Sequence, residues 1–226
     1  MNLVTLLLLV VAQAVSLDIL RLHEGALGAG MPPEWKLRSV RGQDAPRTEM
    51  RSDDSGRVFR VSGAGRAAWF YRELSPRVPE APGSLDWTWR VLETPASADL
   101  RARDTDDSPM RVYVVFGTPG GLFGGSGRII FYSYGNGEPS GFSRASHGSD
   151  KLHVIRVDGA AELGAWQQHR VEPFNDYRRI WHRDPPPITA IGVMQDTDQT
   201  RAMAVAELRR LEWRPATSDG ESITRP

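Results

Sequence analysis

Carboxylates and guanidinium groups crowd two short stretches of this chain. One carries Asp99, Arg101, Arg103, Asp104, Asp106 and Asp107; the other carries Asp196, Asp198 and Thr200, with Arg201 beside them. Aspartates two residues apart in a turn can face one hard cation, and Ca2+ takes about six to eight oxygens. Asp106, Asp107, Asp196 and Asp198 therefore form the candidate metal set, and structural calcium is the one cofactor the sequence suggests. No DxDxDG loop accompanies them. With Arg101, Arg103, Arg111 and Arg201 close in sequence, Arg–Asp pairing at strand ends is the preferred reading, because a guanidinium fork matches a carboxylate. Asp106 and Asp107, just ahead of Arg111, read as strand-end ties.

A second constellation is aromatic. Trp87 and Trp89 fall on one face of LDWTWRV, roughly 7 Å apart along an extended strand. Two indoles so spaced could stack on successive pyranose rings. Leu85 and Val91 share that face, however, which places both indoles in the interior. The opposite face, with Asp86, Thr88 and Arg90, is then a ligand surface. The residues expected to contact a ligand are Arg90, Arg111, Tyr113, Tyr132 and Asp176, and a cavity lined by Arg90, Tyr113 and Tyr132 would mark such a site.

Catalytic signatures are missing, so no catalytic residue can be named. The five histidines include no HExxH and no close pair at ligand spacing, which argues against zinc. Gly124-Gly125-Ser126-Gly127 lacks the GxSxG spacing and precedes a strand where a helix is needed. The glycine-rich run GTPGGLFGGSG has neither the Walker spacing nor a following helix, and reads as a loop. A polysaccharide lyase would place a Tyr or His base beside Arg and Gln. Tyr132, Tyr134, His153, Gln168 and Arg170 could meet on a concave face, with no motif behind them. A glycosidase needs two carboxyl groups across a cleft, a distance no sequence supplies.

Elements positioning these groups are mostly strands. Alternation or apolar runs mark Trp35–Val40, Arg57–Val61, Ala67–Leu74, Leu85–Leu92, Met110–Phe116, Arg128–Tyr134, Lys151–Val157, Trp166–Val171, Ile188–Met194 and Met203–Trp213. One helix is expected over Phe174–Trp181, capped by Asn175 or Asp176 and stopped by Pro185–Pro187. So many strands with almost no helix predict an all-β, antiparallel two-sheet sandwich of jelly-roll type, each sheet solvated on one face.

The 226 residues, 40% hydrophobic, suit a single β-rich domain. Twenty-eight basic residues balance 28 acidic ones, which argues against a nucleic-acid partner or electrostatic attraction to a membrane surface. All but Lys36 and Lys151 of the basic residues are arginine. The absence of cysteine excludes disulfides, thiolate chemistry and Cys-bound metals. Leu3–Val11 is apolar and Ala12-Gln13-Ala14 offers a signal-peptidase site, although no positive n-region precedes it. The run is too short for a bilayer, which takes roughly 20 residues. The expected organisation is a signal peptide at 1–14, an N-terminal extension at 15–30, a sandwich at 31–214 and a frayed tail at 215–226. The product would be periplasmic or secreted, without a membrane span after cleavage.

Trp35 after prolines, LDWTWRV, PASADLRARDTDDSPMRVYVVF, GAWQQHRVEPFNDYRRIW and DPPPITAIGVMQDTDQT together resemble a bacterial family of unknown function, DUF3047, from about Met31 to Trp213. The resemblance implies an exported β-sandwich of the galactose-binding or carbohydrate-binding-module kind, and implies little about activity. Its recurrent positions fall on Trp87, Trp89, Asp99, Asp106, Asp107, Arg111, Trp166, Arg170, Asp176, Tyr177, Asp196, Asp198 and Thr200. Trp181-His182 departs from the usual Phe-Gly. The resulting expectation is a non-catalytic module with a carbohydrate or cell-envelope glycan as partner. The alternatives are a jelly-roll polysaccharide lyase or glycoside hydrolase, and an envelope protein–protein scaffold.

Overall fold

The computed structural model describes residues 16–54, 56–74, 82–117, 127–159 and 163–216. The proposed leader, most of the glycine-rich run and nearly all of the expected tail lie outside these residues.

Two seven-stranded sheets stack face to face. Sheet I has the order β12 (Gln167–Val171), β7 (Gly83–Glu93), β14 (Met203–Pro215), β5 (Gly56–Ala64), β4 (Arg47–Asp53) and β2 (Gly28–Ala29), with β1 (Leu17–Asp18) also on β14. Sheet II has the order β10 (Ser143–Ala145), β11 (Leu152–Gly159), β9 (Arg128–Gly135), β8 (Ser108–Phe116), β13 (Ile188–Asp196), β6 (Ala67–Glu73) and β3 (Lys36–Ser39). The sheets are antiparallel apart from β9 and β11, which run parallel because β10 folds back against β11 on the connection between them.

Alternation along β7 works as expected. Leu85, Trp87, Trp89 and Val91 enter the space between the sheets, where they meet Met110, Val112, Val114 and Phe116 of β8. Trp87 packs on Trp89 and Tyr132, with centroids 5.6 and 5.7 Å apart. Neither indole is a sugar platform. Both are core.

Three expectations need correction. The expected N-terminal extension is part of the sandwich: β1 and β2 pair with β14 and β4, and Ile19, Leu20 and Leu22 are buried in the core. The Trp35 indole N–H donates to the Ile19 carbonyl at 3.0 Å, and Arg57 Nη1 donates to the Leu22 and Gly25 carbonyls. Aliphatic side chains pointing into the core fix this segment, despite its lack of a clean period.

Sheet II, secondly, is covered at the centre of its outer face, while its edge strands β3 and β10 stay exposed. All nine residues of β8 are buried, because loops fold over Arg111, Tyr113 and Val115. Thirdly, neither Asn175 nor Asp176 caps the helix α1 (Pro173–Trp181). Glu172 occupies the N-cap position with no side-chain bond to a backbone N–H of the first turn, and Pro173 starts the helix with its fixed φ. At the other end His182 sits at φ 52° and ψ 40°, the left-handed conformation in which helices commonly end and which glycine adopts most readily.

Candidate functional site

A second apolar cluster lies on the outer face of sheet II. It comprises Trp69, Leu100, Tyr113, Val115, Ile129, Phe131, Val154, Ala190 and Met194. Strand register explains its centre: Trp69 of β6, Met194 of β13, Arg111 of β8 and Ser133 of β9 are successive cross-strand partners. In the adjacent row Tyr71, Gly192, Tyr113 and Phe131 are partners. Gly192 is required there, since a Cβ would lie 2.1 Å from the Phe70 carbonyl oxygen and 2.9 Å from the Tyr113 hydroxyl. With that space open, the Tyr113 ring reaches Trp69 edge-on at 5.1 Å.

Above this row is a cavity of about 490 Å3, within the usual size of small-ligand sites. Its floor is Trp69, Phe131, Leu152 and Met194, with Arg111 set among them. Its walls come from the segment after β3, from Ser146–Gly148, from the 3-10 turn Arg103–Thr105 and from the β13–β14 turn. Arg111 is only 4% exposed and lies over the Phe131 ring at 5.7 Å.

Loops that build the walls are tied by buried carboxylates. Glu138 accepts from the Leu100 and Asn136 backbone N–H groups. Asn136 Nδ2 donates to the Pro95 and Ala98 carbonyls at 2.7 and 3.1 Å, holding the acidic loop over the sheet. Asp107 accepts from the Thr200 N–H at 2.7 Å, from its hydroxyl at 2.5 Å and from the Gln199 N–H at 3.3 Å. The two acidic stretches therefore meet at one end of the sandwich.

Asp106 is drawn away from the expected metal set by Arg111, whose Nη2 donates to Oδ1 at 2.9 Å and to the Asp106 carbonyl at 2.8 Å. Asp107, Asp196 and Asp198 each place a carboxylate oxygen within 4.8 Å of the others. Three hard oxygens this close fit a divalent cation. Arg111 Nη1 stands 3.9 Å from Asp196. Burial opposes its charge, but Asp106, Asp196 and Asp107 outweigh that and keep it protonated.

Burial pushes Asp196 up to about 8, opposed by Arg111 and reinforced by Asp198 and Asp107. Asp198 is raised too, first by burial. The pair shares a proton that each carboxylate would release in the unfolded chain. Between about pH 4 and pH 8 the folded state thus binds more protons than the unfolded one, so stability falls as pH rises across that window. In metal-free buffer the Tm should drop from pH 5.5 to pH 8.5 by about 2–6 °C more in the wild type than in Asp196→Asn. Equal slopes would mean that Asp196 ionises like an exposed carboxyl.

The expected ligand-contact residues do not converge. Arg111 lines the cavity and Tyr113 is buried within its supporting cluster. Tyr132 points into the core and donates its hydroxyl to Asp176 of α1 at 2.8 Å. Arg90 is on the outer face of sheet I, where it pairs with Glu207 and Asp53. No described cavity is lined by Arg90, Tyr113 and Tyr132 together. Asp86, expected on a ligand surface, is enclosed by Arg170, Arg214 and Arg210 at 2.8, 2.9 and 3.9 Å. The lyase set also disperses: Gln168 and Arg170 belong to sheet I, whereas Tyr132, Tyr134 and His153 belong to sheet II.

Trp69 and Met194 were visible in the sequence only as strand residues. Their shared row depends on the pairing of β6 with β13, which local periodicity does not contain. Three buried polar atoms without a hydrogen-bond partner belong to residues lining this cavity: Arg111 Nε, His147 Nε2 and Asp198 Oδ1. No such atom belongs to a residue lining any of three other cavities on the molecule.

Among solved structures, a cellulose-induced protein is similar at a TM-score of 0.50 and 10% identity, over 81% of this chain and 92% of that one. A family 11 carbohydrate-binding module from Clostridium thermocellum gives 0.45 and 12%, over 85% and 97% of the two chains. A family 22 xylan-binding domain from Paenibacillus barcinonensis gives 0.42 and 10%, over 92% and 99%. Similarity at such identities is one of fold. No curated protein matches the sequence. The motifs assembled around this cavity lie within residues 33–212, which match a family described as proteins of unknown function, and the chain belongs to that family, DUF3047.

Proposed function

We propose that the protein is a non-catalytic glycan-binding module whose ligand enters the cavity on the outer face of sheet II. The observation that carries this reading is the clustering of Arg111 Nε, His147 Nε2 and Asp198 Oδ1 around one aromatic-floored cavity. Burying polar atoms without partners costs about 1–3 kcal/mol each; all three are shielded from solvent, and a polyhydroxylated ligand would satisfy them once their side chains turn toward the cavity. Sugar rings also present apolar C–H faces, for which Trp69 and Phe131 provide the complement. With Trp87 and Trp89 packed between the sheets, the outer face of sheet II carries this site on a separate aromatic cluster.

Export to the periplasm or beyond belongs to the same proposal and rests on the apolar run Leu3–Val11. Among the described residues no helix is long and apolar enough to cross a membrane.

A panel of immobilised plant, algal and bacterial envelope polysaccharides, probed with the purified chain, tests the binding reading. Retention by at least one polymer, competed by its soluble oligosaccharide, is expected. Uniform absence of retention would overturn it.

Calcium is a separate proposal. Asp107, Asp196 and Asp198 would hold it, and the ion would take the place of the shared proton. The melting series described above, repeated at pH 8.5 in millimolar CaCl2 and in EDTA, should then show a higher Tm with calcium. Identical melting in both would rule the ion out.

A further inference from the structure

Within the glycan reading, on which this step depends, we infer that the ligand is a carboxylated polysaccharide, a polymer containing uronic acid, whose carboxylates are taken by Arg41 and Arg103. Both arginines line the cavity and both are exposed. Neither has a carboxylate partner among the described residues. Five arginines on sheet I, Arg60, Arg90, Arg170, Arg210 and Arg214, are by contrast ion-paired.

Charge around the cavity points the same way. Arg38, Arg41, Arg103 and Arg111 line it together with Asp106, Asp196 and Asp198, an excess of positive charge in a chain whose formal net charge is zero. Arg111 is already engaged by Asp106 at 2.9 Å, so the charge available to a ligand lies with the exposed pair. A neutral pyranose asks only for stacking and hydroxyl partners. A free guanidinium fork adds a bidentate match to a carboxylate, with about twice the strength of a neutral hydrogen bond. Arg41 follows β3, whereas Arg103 comes from the acidic loop. The two are thus presented by different segments, as a repeating anionic chain requires.

Titration of the whole chain with pectic and alginate oligouronides, with the methyl-esterified pectic oligomer, and with neutral xylan and mixed-linkage glucan oligomers tests this. The oligouronides should bind at least about ten-fold tighter than the methyl ester, which has the same backbone without the charge. The Arg41→Gln/Arg103→Gln double variant should lose about ten-fold or more toward the acid oligomer, with its Tm unchanged. An Arg47→Gln/Arg183→Gln control removes the same charge away from the cavity and should bind as wild type. Equal or tighter binding of neutral oligomers, with the double variant unaffected, would overturn the acidic specificity and leave the glycan reading intact. Dextran sulfate binding as tightly as the oligouronide would reduce the effect to ion exchange and overturn it as well. Failure of every saccharide to bind would sink the glycan reading itself.

Discussion

Alanine at Trp69 is expected to weaken glycan binding about thirty-fold or more while the protein stays folded. The indole is 6% exposed, lines the cavity, and holds Tyr113 and Phe131 at centroid distances of 5.1 and 5.2 Å. Truncating it removes the apolar surface offered to a sugar face and loosens the support beneath Arg111. A stability cost of about 3 kcal/mol accompanies the loss. It falls on the outer cluster, however, and the core built on Trp87, Trp89 and Phe59 is separate. Near-UV circular dichroism distinguishes a folded non-binder from a collapsed chain. Trp69→Phe, which keeps a ring over the floor, should recover part of the affinity. A folded Trp69→Ala variant binding as wild type would place the ligand elsewhere.

Glu207→Ala should be among the most destabilising single changes on the other sheet. Register puts Glu207 of β14 directly opposite Arg60 of β5 and Arg90 of β7. Arg60 Nε donates to Glu207 Oε1 at 2.7 Å, and Arg90 Nε donates to Oε2. Arg90 continues to Asp53 at 2.6 Å, and Trp166 is held between Arg90 and Arg209 at 4.5 and 4.4 Å. The glutamate is 1% exposed whereas the arginines keep partial access to water. Its removal leaves two guanidinium groups facing each other across three strands. The expected cost is about 2–4 kcal/mol, discounted from the fully buried case by the arginines' solvation. That corresponds to a fall in Tm of about 5–12 °C. Glu207→Gln preserves the shape and should cost about half as much. A change below about 1 kcal/mol for alanine would mean the triad is screened like an ordinary surface pair.

Trp87 and Trp89 could be placed in the interior from the sequence because period-two alternation encodes burial on one face of a strand. The two acidic stretches could be grouped as one candidate metal set, but their meeting could not be read, because it depends on the antiparallel pairing of β8 with β13. The covering of sheet II could not be read. Arg111 and Tyr113 look like solvent-facing residues until Glu138, far along the chain, captures the Leu100 backbone and seals the loop above them. Arg90 is a related case: a polar residue on an outward face reads as a ligand contact, whereas in the structure its register partner Glu207 engages it. Segment Leu17–Gly25 was hidden because its buried residues Ile19, Leu20 and Leu22 follow no period, and its other ties are backbone carbonyls accepting from Trp35, Arg57 and Arg72.

Chemical-shift mapping on the isotope-labelled chain, titrated with the oligosaccharide that the polysaccharide panel selects, tests the central claim most directly. The account predicts perturbations centred on the Trp69 indole, Arg111, Phe131, His147 and Met194. Perturbations gathered instead on Arg90, Trp166 and Arg170 across sheet I, or none at saturation, would contradict it.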